Sequence, residues 1–184
     1  MTFSIVARDA ATGDLGIAVA SKFLAVGAVV PHARAGVGAV ATQALANVRY
    51  GADGLALLAA GKSAADALNE LTQADEGRDH RQAGVVDGAG GSATYTGSGC
   101  ITWAGGRTAA GVAAQGNLLA GPSVVDALIE TFLASTAAFP ERLLAGLKAA
   151  GPVFITIGEA AAQARDLAPT AGVPLLRDLL ANSR

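Results

Sequence analysis

The sequence predicts an α+β fold, a sandwich of two mainly antiparallel sheets between helical layers. Three observations carry this. Strand-like apolar runs arrive in pairs joined by short polar turns, which favours hairpins over parallel crossovers. Helical patterns come in two pairs, each following a block of strands, so helices and strands segregate into layers. The composition is 52 % hydrophobic but only 4 % aromatic, with 24 glycines in 184 residues. Such a core is built from Ala, Val, Leu and Ile, with Gly letting backbones approach closely.

Phe3–Arg8 reads as the first strand, with Phe3, Ile5 and Ala7 on one face and Ser4 and Val6 on the other. Asp9–Asp14 contains the turn signal Thr12-Gly13-Asp14, and Leu15–Ser21 returns as the second strand of a hairpin. Val26–Ala35 reads as extended and bent at Pro31, and Val37–Thr42 as a strand. Asn47–Gly51 reads as loop. Gly54–Ala60 and Ser63–Thr72 read as two helices parted by Gly61, with Ser63 as an N-cap. Gln82–Val86 and Ala93–Thr96 flank a turn over Asp87–Gly91, and Ala109–Gln115 is a further strand. Ser123 is expected to cap a helix through Phe132, and Pro140–Ala149 forms another. Val153–Ile157 reads as β-like and Pro174–Leu180 as a short helix. Residues 1–184 read as a single domain.

Bulk properties exclude several classes. A net charge of −2 without a basic cluster argues against nucleic acid, whose phosphates need grouped Lys and Arg. The lone Cys100 rules out an internal disulfide and a cysteine-based zinc site, and suits a reducing cytoplasm. Met1–Arg8 lacks the basic-then-apolar order of a signal peptide. No apolar run reaches the ~18 residues of a membrane span. A cytoplasmic protein that contacts neither membrane nor nucleic acid is therefore expected.

Motifs that mimic binding sites lose to plainer readings. Gly36-Val37-Gly38-Ala39-Val40-Ala41 has the spacing of a dinucleotide fingerprint, but a strand follows it where a helix is needed. Gly61-Lys62-Ser63 resembles the end of a phosphate loop, yet a helix precedes it. His32 and His80 have no second ligand at metal spacing, and Cys100 has no neighbouring base, so an inert thiol is expected. Thr2 is different. Removal of Met1 would expose a residue holding both parts of a minimal hydrolase, a hydroxyl nucleophile and an α-amine able to take its proton. An α-amine has an ordinary pKa of ~7.7–8, and a nearby cation such as Lys22 or Arg34 lowers it.

Several blocks carry a family resemblance. Thr2-Phe3-Ser4-Ile5-Val6-Ala7, Leu15 to Phe23, Ala35 to Gln43, Tyr50-Gly51, Trp103-Ala104-Gly105 and Gln115 to Gly121 keep one order over roughly Thr2 to Ala150. Together they resemble the domain-of-unknown-function family numbered 1028. The resemblance implies an α-β-β-α four-layer sandwich like that of the N-terminal nucleophile hydrolases, which cleave amide bonds. It implies Thr2 as nucleophile, Lys22 and Arg34 as candidate cations, and Thr42, Gln43, Gln115 and Asn117 as candidate substrate contacts. Strand-end and turn hydrogen bonding is the competing role for those four. No metal or organic cofactor is implied, and the substrate is a small amide or peptide-like molecule. The alternative is a non-catalytic binding or assembly module on the same fold. Residues 151–184 depart from the family, because Gly151-Pro152-Val153-Phe154-Ile155-Thr156-Ile157 stands where an Arg-Gln-Ser segment is usual. A strand lost there leaves a sheet edge for a partner, so a homo-oligomer is expected.

Overall fold

The structure, a computed structural model, describes residues 1–155. In chain order it contains β1 (Thr2–Arg8), β2 (Leu15–Ser21), β3 (Pro31–Arg34), β4 (Gly38–Ala44), α1 (Arg49–Ala59), α2 (Ala64–Gln73), β5 (Arg81–Asp87), β6 (Ser92–Thr96), β7 (Gly105–Ala109), β8 (Val112–Asn117), α3 (Ser123–Ala134) and α4 (Phe139–Ile155). The strands form two four-stranded sheets, in the orders β2-β1-β8-β7 and β3-β4-β5-β6. Every pairing is antiparallel.

Strand alternation builds the layers. Phe3, Ile5, Ala7, Val112 and Ala114 face outward from the first sheet onto Val124, Leu128 and Phe132 of α3 and Leu143 of α4. Val40, Ala83 and Val85 face outward from the second onto Tyr50 and Leu58 of α1 and Leu68 and Leu71 of α2. The opposite faces meet through Val6, Ala39, Ala41, Val86 and Ala113. The result is the expected α-β-β-α sandwich. Its middle layer is thin because most of those side chains are Ala or Val.

Local chemistry sets the turns. Asp9 Oδ1 accepts from the backbone N–H groups of Ala11 (2.8 Å) and Thr12 (3.0 Å), closing the β1–β2 hairpin. Its Oδ2 pairs with Arg142 of α4 at 3.0 Å. Ser63 caps α2 as expected, its Oγ accepting from Asp66 N at 3.1 Å. Asp87 also serves α2: Oδ2 accepts from Ala64 N (2.9 Å), while Oδ1 accepts from Gly91 N (2.8 Å) in the β5–β6 turn.

Several expectations shift. Val26–Ala28 forms a short 3-10 turn, so the extended segment is reduced to β3. Helix α1 starts at Arg49, inside the expected loop, because Asn47 Oδ1 accepts from Arg49 N at 3.2 Å and turns the chain inward. Strand β7 was not expected, since Gly-Gly-Arg-Thr-Ala has no apolar alternation; pairing with β8 makes it a strand. The expected strand Ala109–Gln115 splits at a turn where Gly111 has φ +70°. Ser123 begins α3 but makes no capping bond. Helix α4 runs past Ala149 and takes in Val153–Ile155, overturning the β-like reading there, because the apolar spacing of Leu143, Leu147 and Ala150 continues the helical face. Thr156, Ile157 and the expected helix at Pro174–Leu180 lie outside the described residues. Among those described, no helix is long and apolar enough to cross a membrane.

Candidate active site

Thr2 opens β1, the strand paired on both sides in the first sheet. The register sets it opposite Ser21 on β2 and Asn117 on β8. Directly opposed residues share a face, with Cβ atoms roughly 5 Å apart. Ser21, Thr2 and Asn117 therefore form a row across the end of the sheet, on the face turned toward the second sheet. The Thr2 side chain is largely buried, and its Oγ1 lies 2.9 Å from Ser21 Oγ. Ser21 Oγ donates its only proton to the Met1 carbonyl at 2.9 Å and accepts from Phe23 N at 3.0 Å. Thr2 is consequently the donor in the Thr2–Ser21 bond.

A cleft of about 1020 Å³ opens over this row. Thr2, Gln43 and Asn117 lie on its floor, and its walls come from the loops after β2, β4 and β8 and from residues 99–101. Met1 also lines it. Burial, helped by the nearby Lys22 charge, lowers the pKa of the Met1 amine below the ordinary value. The Lys22 charge therefore falls on the Met1 amine, whereas the nitrogen of Thr2 is a peptide amide while Met1 is present. Arg34 is placed elsewhere. It pairs with Gly38 at the opposite end of β4 from Gln43, about 17 Å along the strand at roughly 3.4 Å per residue.

The four candidate substrate contacts separate by strand face. Thr42 points to the helical layer and donates to the Asn47 carbonyl at 3.1 Å, so the structure does not bring it to the cleft. Gln43, Gln115 and Asn117 face the other sheet and join a buried network with Ser4 and Gln82. Ser4 opposes Gln115 in one sheet, and Gln43 opposes Gln82 in the other. Gln115 Nε2 donates to Ser4 Oγ, Ser4 Oγ to Gln43 Oε1, and Gln43 Nε2 to Gln82 Oε1, each at 2.7 Å. Asn117 Nδ2 donates to the same Gln82 Oε1 at 3.0 Å.

Backbone carbonyls set the direction of this network. Gln82 Nε2 lies 2.7 Å from Gly116 O and 3.3 Å from Gly105 O, and a carbonyl can only accept. Gln82 Oε1 must then face Gln43 and Asn117, and both must present their NH₂ ends to it. Asn117 is left with a second N–H and Oδ1 that have no partner among the described residues, beside Thr2 on the cleft floor. Gln115 carries the cost of the arrangement: its Oε1 is buried without a partner, against Gly84.

Ser4, Ser21 and Gln82 are site residues that residue-type reasoning missed. Ser21 was recoverable from the hairpin, since pairing Arg8 with Leu15 forces Thr2 opposite Ser21. Cys100, His80 and Arg81 also border the cleft. Burial pushes the Cys100 thiol up, and its Sγ lies 3.3 Å from Arg81 O, which fits an inert thiol. His32 does not line the cleft, and its Nε2 lies 3.2 Å from the carbonyl of Val29 behind the wall. The dinucleotide-like glycines lead into β4, and Gly61-Lys62-Ser63 is the α1–α2 turn.

The row and its network lie wholly within residues 2–153, the stretch matched by the model of a family of unknown function, DUF1028. The chain belongs to the DUF1028 family. Its fold is similar to the crystal structure of protein SPO2555 from Silicibacter pomeroyi, of the same DUF1028 family, with a TM-score of 0.80 and 39 % identity. That likeness covers 82 % of this chain and 70 % of the other. No curated protein matches this DUF1028 chain.

Proposed function

We propose that this DUF1028 protein hydrolyses a small amide or peptide-like substrate, with Thr2 as nucleophile once Met1 is removed. The observation that carries the reading is the position of Thr2: first residue of a central strand, on the floor of a cleft, with Ser21 at 2.9 Å and Asn117 opposite. The α-β-β-α layering supports it, being the arrangement that the family resemblance implies for an N-terminal nucleophile hydrolase.

The chemistry needs no cofactor. Thr2 Oγ1 attacks the substrate carbonyl carbon and its proton passes to the Thr2 amine, with Lys22 as the cation proposed to favour that amine's neutral form. The second N–H of Asn117, beside Thr2, is available to donate to the oxyanion that forms. The C–N bond then breaks and the leaving amine takes the proton from the Thr2 ammonium. Water attacks the resulting ester, giving its proton to the Thr2 amine, and the acid departs as Thr2 Oγ1 is reprotonated.

A second reading is a binding module that keeps Met1. It draws on the way Met1 is held, its carbonyl accepting from Ser21 Oγ (2.9 Å) and from Lys22 N (3.4 Å). Intact mass separates the two, followed by an amide panel on protein beginning at Thr2. Thr2→Ala is expected to lower turnover by roughly a thousandfold or more with an unchanged melting curve. A Thr2→Ala protein that still turns over sinks the hydrolase reading.

A further inference from the structure

The mouth of the cleft has a different chemistry from its floor. Phe23, Leu45 and Ile101 are 64 %, 63 % and 64 % exposed, and Leu118 stands beside them. Large apolar side chains ringing one opening mark a binding site more often than scattered surface exposure. The backbone aims them at some cost. Ala25, Ala44 and Leu118 are the non-glycine residues with left-handed φ, at 55°, 67° and 56°, among those described. They sit respectively between Phe23 and Val26, directly before Leu45, and within the collar itself. Left-handed backbone at side-chain-bearing residues clusters at ligand clamps and active sites. Charge adds a second constraint. Among the described residues no Asp or Glu lines the cleft, so no side chain there would pair with a cationic group. Arg81, which lines the cleft, is paired with Asp75 at 3.0 Å.

We infer that the cleft takes amides with an apolar acyl chain of several carbons and an amine portion bearing no positive charge, an N-acyl amino acid being the simplest member. This rests on Thr2 as nucleophile, since the carbonyl must stand over Thr2 Oγ1 for the acyl chain to reach Phe23, Leu45, Ile101 and Leu118. The polar floor of Gln43 and Asn117 meets the amide, and the absence of carboxylates admits a free carboxylate on the amine portion.

Binding to Thr2→Ala protein tests this without requiring turnover. Calorimetric titration with acetyl-, butyryl-, hexanoyl- and octanoylglycine is expected to tighten about two- to fourfold per added methylene. Ile101→Asp and Leu45→Asp, both at exposed positions, are expected to flatten that series at an unchanged melting temperature. The cationic amide of octanoic acid with ethylenediamine is expected to bind at least about tenfold more weakly than octanoylglycine. Affinity independent of chain length overturns the inference. So does equal binding of the cationic amide, or a collar closed by a second copy, seen as a sedimenting dimer that refuses octanoylglycine. Turnover by protein beginning at Thr2 is scored separately. Chain-length-dependent binding without turnover strikes the hydrolase reading alone, and turnover indifferent to chain length strikes this one alone.

Discussion

Asn117 shows how much a single amide can depend on its neighbours. Its Nδ2 faces Gln82 Oε1, an acceptor whose orientation two backbone carbonyls dictate. In Asn117→Asp the same position holds an oxygen, which can donate only as the protonated acid. The folded-state pKa of the new carboxyl is therefore raised above its unfolded value of ~3.9. Stability then falls as pH rises past that value. The variant is expected to lose about 1–3 kcal/mol at neutral pH and to regain most of it near pH 4, by urea unfolding at the two pH values. A pH-independent loss would show that the network does not hold Asn117 as described. Gly84→Ala probes the other end, where a Cβ would overlap the Gln115 amide. A destabilisation of about 1–3 kcal/mol is expected by chemical denaturation. At this scale the sequence showed part of the site. Thr2 was legible from its chemistry, and Gln43 and Asn117 from the family blocks. Gln82 was not, because a lone Gln in an apolar strand reveals nothing until Gly116 O and Asn117 are placed beside it.

Elements were legible where periodicity and caps agreed. The first hairpin, α2 and the β5–β6 hairpin carry both a pattern and a turn residue whose side chain closes the loop. Strand β7 carries neither, and its strand character comes from β8. Arg34 was a reasonable cation by type, but the β3–β4 register takes it to the far end of the sheet. Asp75 joins elements that the sequence leaves unrelated. It accepts from Arg81 Nε (3.0 Å), Asn47 Nδ2 (3.0 Å) and Gly77 N (2.8 Å), tying the exit of α2 to β5 and to the loop after β4. Arg81 is the main reason its carboxyl is held well below the usual carboxylate range. A depressed folded pKa contributes stability that is present above the unfolded value of ~3.9 and is lost as pH falls through the acid range. Asp75→Asn is expected to cost about 3 kcal/mol at neutral pH and to flatten the acid limb of the stability profile. Thermal melts from neutral to acid pH check both.

Layer order was readable for the whole molecule, because blocks of strands and helices follow one another without alternation. Sheet composition was not. That β1 takes β8 as its second neighbour depends on residues more than a hundred positions apart meeting, which no local pattern announces. The topology predicts a gradient of protection. Among the described residues, strands β1, β8, β4 and β5 are flanked on both sides, whereas β2, β3, β6 and β7 are edges. Native-state hydrogen exchange is expected to find the inner amides opening only with global unfolding and the edge amides exchanging at least about tenfold faster. Uniform protection across each sheet would contradict the layered assignment of stability.

The Met1 carbonyl has an effect beyond its own residue. While it is present, the Ser21 proton is committed to it, and Thr2 must spend its hydroxyl proton on Ser21. Cutting the first peptide bond removes that acceptor. Ser21 is then free to turn its proton toward Thr2 Oγ1, and the Thr2 proton is released toward the new amine. A single cleavage would both create the base and reverse the polarity of the hydroxyl pair beside it. On the proposed hydrolase reading, the uncut chain would be a silenced precursor, its Thr2 hydroxyl committed to Ser21 for as long as Met1 remains attached.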